Sequence, residues 1–341
     1  MLALQEGRSL DLSYELLQGA IDIHVHPGPH LFSSPRRVDP FEAAQQARDA
    51  GMRAIVLLDV FEMSYGTAWL VNKVVPDFET YGGLIMNTVY GGMNPRAVKT
   101  ALYYGDGAKY ISFGAHSTYY QAAKEGRVVD GKFVPLSELY PKFKTEEVDR
   151  AIRIPVDEEP GPELDEILHM IADHPHVYLD TGHVSVAEAM QLIDLKERYG
   201  YEKIIVSSSV TKIASTDELK VMAAKGAFIE YTMAAYTAAT PIPLTHYYVE
   251  KEYSSIDEGM SESAAGGLPF IAQQMQELGA ENCIMATDFG RYALSTPVEG
   301  LRQFIACLLD LGIPPADIQT MVKTNPEKLL GLEPIDDNFP F

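Results

Sequence analysis

Eight short β-branched runs, most of them followed by a helical pattern, constrain this 341-residue chain more than any other feature. The runs begin near Ala20 (AIDIHVH), Arg53 (RAIVLLDV), Gly83 (GLIMNTVY), Ala108 (AKYISFGAH), Val177 (VYLDTGH), Lys203 (KIIVSSS), Ala227 (AFIEYTM) and Asn282 (NCIMATDF). Such alternation calls for parallel strands covered by helices, because parallel neighbours need a crossover rather than a tight turn. The punctuation agrees. Asp39-Pro40 supplies an N-cap and a first-turn proline, and Gly51 closes that helix. Ser185-x-x-Glu188 and Ser215-x-x-Glu218 read as capping boxes, with Gly200 and Gly226 as the stops. An open doubly wound sheet is the rival, but no Gly-rich phosphate loop follows the first run. The expectation is a single-domain (β/α)8 barrel over residues 20–332, preceded by a segment 1–19 and followed by a tail 333–341.

Two intervals exceed an ordinary βα unit, residues 117–160 and 234–268. Both follow the C-terminal ends of strands, the face on which barrel sites are assembled. Rich in Tyr, Pro and charge, they read as lids or specificity loops. Contact between subunits is the competing reading, and a homo-oligomer is expected. A formal charge of −21 argues against nucleic acid or an anionic membrane as partner and leaves a small molecule. No apolar run approaches the roughly 20 residues of a membrane span. Glu6, Arg8, Asp11 and Glu15 interrupt any signal-peptide core, so a cytoplasmic chain is expected. Cys283 and Cys307 lie in apolar surroundings outside any CxxC pattern and read as core residues.

The sharpest local motif is His24-Val25-His26 at the end of the first run. Residues two apart on a strand share a face, so both imidazoles should project into the barrel while Ile23 and Val25 pack under the helices. Two such rings can close on one divalent cation, with Zn–N bonds of about 2.0–2.1 Å.

His-x-His ending the first strand, Thr181-Gly182-His183 ending the fifth and Thr287-Asp288-Phe289 ending the eighth together resemble the amidohydrolase superfamily. The segment Thr324-Asn325-Pro326-Glu327-Lys328-Leu329-Leu330-Gly331-Leu332 is similar to the Asn-Pro-Ala-x-x-Leu-Gly closing helix common there. The likeness runs from about Ala20 to Leu332. It implies a metal-activated water attacking the carbon of an amide, imide, lactone or ester. In that scheme His24, His26 and His183 are imidazole ligands, and Asp288 binds the metal or its water and takes the proton. The chain also departs from the pattern. Its only strand-four lysine, Lys109, stands at the start of the strand, where it cannot bridge two metals, and Ser207, Ser208 and Ser209 replace a strand-six histidine. An atypical, mononuclear member is therefore implied, holding one Zn²⁺ or else Mn²⁺, Fe²⁺ or Ni²⁺. Two rivals stand beside the hydrolase: a metal-dependent decarboxylase of the same superfamily and a non-catalytic binding barrel.

Other residues complete the candidate site. His116 could finish the metal shell, polarise a substrate carbonyl or hydrogen-bond within the loop that follows. Glu230 could orient substrate or move protons, or form a structural ion pair. Asp59 and Asp180 read as hydrogen-bonding supports. Arg36, Arg37, Lys212 and Arg291 follow strand ends and could focus an anionic substrate, with ordinary surface pairing as the alternative. Tyr119, Tyr120, Tyr236, Tyr247, Tyr248 and His246 suit an amphipathic, ring-shaped ligand, or equally a subunit interface. Of these cations and lid residues, Arg36, Arg291 and His246 are the substrate-binding candidates. His169, His174 and His176 precede strand five and belong to the opposite end.

Overall fold

A strand with one apolar face and one mixed face needs a covered sheet, and the described residues build two parallel ones. The computed structural model describes residues 8–31, 34–236 and 267–334. Most of the 234–268 insertion, with His246, Tyr247, Tyr248 and the Tyr236 side chain, lies outside the described residues. The strands are β1 (Ile21–Val25), β2 (Ala54–Leu57), β3 (Glu79–Gly82), β4 (Leu84–Ile85), β5 (Tyr110–Ser112), β6 (Gly126–Val129), β7 (Lys132–Pro135), β8 (Tyr178–Asp180), β9 (Ile204–Val206), β10 (Phe228–Thr232) and β11 (Cys283–Ala286). One sheet runs β1-β2-β3 and the other β11-β10-β9-β8-β5-β4, and every pairing in them is parallel.

The eight expected runs are thus all present, but not as one uninterrupted ladder. The third begins at Glu79 rather than near Gly83 and divides into β3 and β4. There the Ser64 hydroxyl donates to the Leu57 carbonyl at 2.6 Å and accepts from Gly83 N at 3.0 Å, standing in for a ladder bond. At the other seam β1 and β11 are joined beyond their paired residues. Asp288 N donates to His24 O and His26 N to Phe289 O, both at 2.8 Å, and Val25 bridges Phe289.

Alternation along the strands separates two apolar clusters. Tyr110, Tyr178, Ile205 and Ile284 join Ile21, Ala54 and Val56 in one; Ile111, Leu179, Val206, Ile229 and Met285 join the helices in the other. Two residues further along, the inward positions become Ser112, Asp180 and Ser207, which line a cleft. The strands therefore pass from an apolar floor to a polar mouth. Ile23 corrects the sequence reading: it joins the inner cluster, not the helix side with Val25. Ile21 and Asp22 pair with Ala54 and Ile55, but Val25 pairs with Leu57, so β1 carries one extra residue and its alternation resets.

The expected caps form. Asp39, Ser185 and Ser215 each close a capping box, and Gly200 ends its helix in the left-handed conformation. The insertion after β5 holds the β6-β7 hairpin and a small core around Leu136 and Phe143. In the terminal helix Asn325–Leu330, Leu329 and Leu330 enter the inner cluster, while Asn325 Nδ2 donates to Ala280 O at 2.7 Å and Cys283 O at 2.8 Å. Cys283 is buried and its thiol is pushed up to about 12 by that burial.

Candidate metal centre

The bulge in β1 sets His24 and His26 at the polar mouth. Their Nε2 atoms stand 3.0 Å apart, and the outer nitrogens are anchored. His24 Nδ1 donates to Glu230 Oε1 at 2.8 Å, and His26 Nδ1 to the Leu58 carbonyl at 2.6 Å. A carbonyl only accepts, so the neutral His26 ring carries its proton on Nδ1 and turns the Nε2 lone pair toward the centre. Glu230 is itself fixed, because its Oε2 accepts from Ser208 N at 2.8 Å. Both oxygens of Glu230 are thereby engaged, in the ion-pair geometry the sequence left open beside a role toward substrate.

Asp288 completes the cluster from the far seam. Its backbone adopts φ 55°, an uncommon left-handed conformation that aspartate tolerates. Two residues on, Gly290 passes so close to β1 that a Cβ there would lie 1.7 Å from the His26 carbonyl oxygen. Asp288 Oδ1 reaches 3.1 Å from His26 Nε2 and 3.8 Å from His24 Nε2. The chosen donor atoms of His24, His26 and Asp288 all lie within 4.8 Å of one another.

Electrostatics match a site built for positive charge. Burial disfavours a charged His24, but Glu230 and then Asp288 outweigh it and raise the ring to about 10. Burial lowers His26 to about 4 despite Asp288 beside it. Burial would raise Asp288, yet the charge of His24 and the contact with His26 hold it well below the carboxylate range. A neutral His26 therefore sets an acceptor lone pair 3.1 Å from a carboxylate oxygen. The three donor atoms converge to within 3.0–3.8 Å of one another, and a divalent cation among them would take the place of the proton that His24 carries there. Ligands on a tetrahedral zinc, at bonds of about 2.0–2.1 Å, would stand about 3.3 Å apart. The three spacings bracket that value, so these residues fit a divalent metal.

The remaining candidates divide. His183 and His116 line the same cleft, with ring centroids 5.5 Å apart, but His183 is not one of the three clustered donors. Burial, then His116 and Lys212, hold the His183 ring well below its usual range and keep it neutral. His116 Nδ1 approaches Glu125 Oε1 at 3.4 Å. Arg36, Arg291 and Lys212 also line the cleft. Asp180 sits on its wall, where burial raises it to about 6, and accepts from Gly182 N at 3.1 Å. Asp59, raised by burial to about 6, caps Phe61 N at 2.7 Å. Tyr119 and Tyr120 lie elsewhere, lining a separate surface hollow with Lys124 and Arg153.

Sequence reasoning missed the groups that orient the two imidazoles. The Leu58 carbonyl and Ser208 N carry no side-chain signature at all. Asp22 accepts from Thr287 N at 3.1 Å and Thr287 Oγ1 at 2.5 Å, tying β1 to β11 directly under the centre. Its only sequence signal is an acid placed within an apolar run.

A family model described as a family of unknown function, DUF6282, matches residues 19–230. No curated protein matches the sequence. Several solved structures share the fold. A probable dipeptidase from Pseudomonas aeruginosa is 12% identical over 95% of this chain and 98% of its own, with a TM-score of 0.60. An amidohydrolase from Pseudomonas aeruginosa is 13% identical over 94% and 98%, at 0.55. A probable 2-pyrone-4,6-dicarboxylic acid hydrolase from Acinetobacter baumannii, solved with citric acid bound, is 11% identical over 92% and 100%, at 0.55.

Proposed function

The chain belongs to the DUF6282 family, a family of unknown function, and from that premise and the site geometry we propose that it is a metal-dependent hydrolase of small molecules. The two sheets are read as one (β/α)8 barrel whose seams are closed by Ser64 and by the contacts between β1 and β11. One observation carries the proposal: His24 Nε2, His26 Nε2 and Asp288 Oδ1 converge to within 3.0–3.8 Å of one another at the mouth of the cleft.

When bound, a divalent cation, with a single Zn²⁺ the first choice, supplies the Lewis acidity that makes water a nucleophile near neutral pH. The chain's own residues do the rest. Glu230 and the Leu58 carbonyl hold the two rings with Nε2 inward. His183, neutral on the same cleft, is the third imidazole. Asp288 takes the proton from the attacking water and passes it to the leaving nitrogen or oxygen. His116, supported by Glu125, polarises the substrate carbonyl. The structural relatives named hydrolases and dipeptidase support this class of reaction. A decarboxylase is the second reading, favoured by the arginines at the mouth.

Elemental analysis of purified protein tests the proposal, beside a His24→Ala/His26→Ala variant. About one divalent metal per chain is expected, absent from the variant. Protein that stays metal-free after reconstitution would remove the hydrolase. For a turned-over substrate, solvent ¹⁸O in the product supports hydrolysis, whereas CO₂ without it supports decarboxylation.

A further inference from the structure

The cleft has a second charged feature on the wall beside Asp288. Arg36 and Arg291 are cross-linked by backbone: they form an antiparallel bridge, Arg37 N donates to Gly290 O at 2.6 Å, and Tyr292 N donates to Pro35 O at 3.2 Å. Both arginines line the cleft that holds the His24, His26 and Asp288 donors. Arg36 Nε is buried without a hydrogen-bond partner. Among the described residues, neither guanidinium has an ion-pair partner within 4.0 Å. In a chain of net charge −21, two cations kept side by side without a direct ion pair are unexpected for a purely structural purpose. Burial and then the repulsion of Arg291 lower Arg36 to about 10, against the opposing pull of Asp59.

We propose that Arg36 and Arg291 form the specificity subsite for a carboxylate group of the substrate, seated in the cleft beside the metal centre. The inference deepens the hydrolase reading, and rests on it, by naming the charged end of the molecule that is cleaved. A guanidinium fork pairs with a planar carboxylate through two parallel hydrogen bonds. Phosphate shares that chemistry, but its second charge would face Asp288 and Asp59, both of which act electrostatically on Arg36. A singly charged carboxylate meets less of that repulsion.

The test is calorimetric titration of glutarate, its neutral diamide and inorganic phosphate at one ionic strength near neutral pH. Each is titrated into wild type, Arg36→Gln/Arg291→Gln, His24→Ala/His26→Ala, and the protein carrying all four changes. Glutarate binding should weaken at least about tenfold when the arginines are replaced, in both the native and the histidine-variant backgrounds. The diamide should bind weakly everywhere and show no dependence on the arginines. Because the arginine effect is read without the metal ligands, its failure is separate from a failure to find metal. Equal glutarate affinity with and without the arginines overturns the subsite. Arginine-dependent binding that is tighter for phosphate than for glutarate overturns the carboxylate assignment. If the double glutamine variant does not fold, Arg291→Gln alone carries the comparison, with Arg291→Lys expected to recover part of the loss through its retained charge. Equal affinity in wild type and Arg291→Gln then overturns the subsite.

Discussion

At the scale of the residue, the proposed cation would compete with a proton for His24. Its ring, ordinarily near 6.5, is raised to about 10 in the cation-free fold by Glu230 and Asp288 acting against burial. That ion-pair contribution to stability is fully present below about 6.5 and is lost as pH rises through about 10. A metal needs the same Nε2 unprotonated, so binding should expel a proton near neutrality. Apparent affinity should then rise about tenfold per pH unit below the ring's pKa. Titrating Zn²⁺ in buffers of different ionisation enthalpy measures the released proton. No release would mean that His24 is not a ligand. Glu230→Gln should weaken metal binding by about 10- to 100-fold, since it loosens His24 while leaving the ligand set intact. For Asp288→Asn, turnover should vanish while the melting transition stays cooperative. Near-normal turnover would remove Asp288 as the proton carrier.

At the scale of the element, strand ends and their loops place the donors. Asp39, Ser185 and Ser215 announce their helices because a capping box is a contact between residues three apart. The extra residue in β1 has no such signature. It is defined by pairing with β2, and it sends Ile23 inward against the expected alternation. The Asp288–Gly290 turn is equally tight. In Gly290→Ala the new Cβ meets the His26 carbonyl, so stability should fall by about 2 kcal/mol or more and metal retention with it. Gly312→Ala is the control: its φ is 87° but nothing lies within 4 Å of an added Cβ. It should cost only about 1 kcal/mol and leave metal content unchanged. Urea midpoints and metal analysis on both variants decide. Equal losses would mean that the close approach to β1 is unimportant.

At the scale of the whole molecule, the terminal helix holds the β11 side of the assembly in place. Asn325→Ala would remove the side-chain donor to the Ala280 and Cys283 carbonyls, leaving Ala280 O with the Cys283 N–H alone, at a cost of about 2 kcal/mol. Leu330→Ala, in the inner cluster, should cost about 2–5 kcal/mol. An unchanged urea midpoint in both would show that this helix is peripheral to the fold. The eight runs, the helix stops and the paired histidines were all readable in the sequence, because each depends on a period or spacing within a few residues; the closing motif was readable through its resemblance to a known closing helix. Which of the candidate ligands converge was not. Glu230 lies 206 residues from His24, and Asp288 meets His26 across the seam between β1 and β11. Sequence by itself determined the alternating parallel architecture and the end of β1 where a cation could bind. Only the tertiary structure decided that Asp288 clusters with His24 and His26, that Glu230 supports His24, and that Arg36 and Arg291 stand side by side. The physical reason is that a strand's two-residue period sets direction locally. Bringing donor atoms to within 3–4 Å depends instead on register, bulges and loop conformation between strands far apart in the chain.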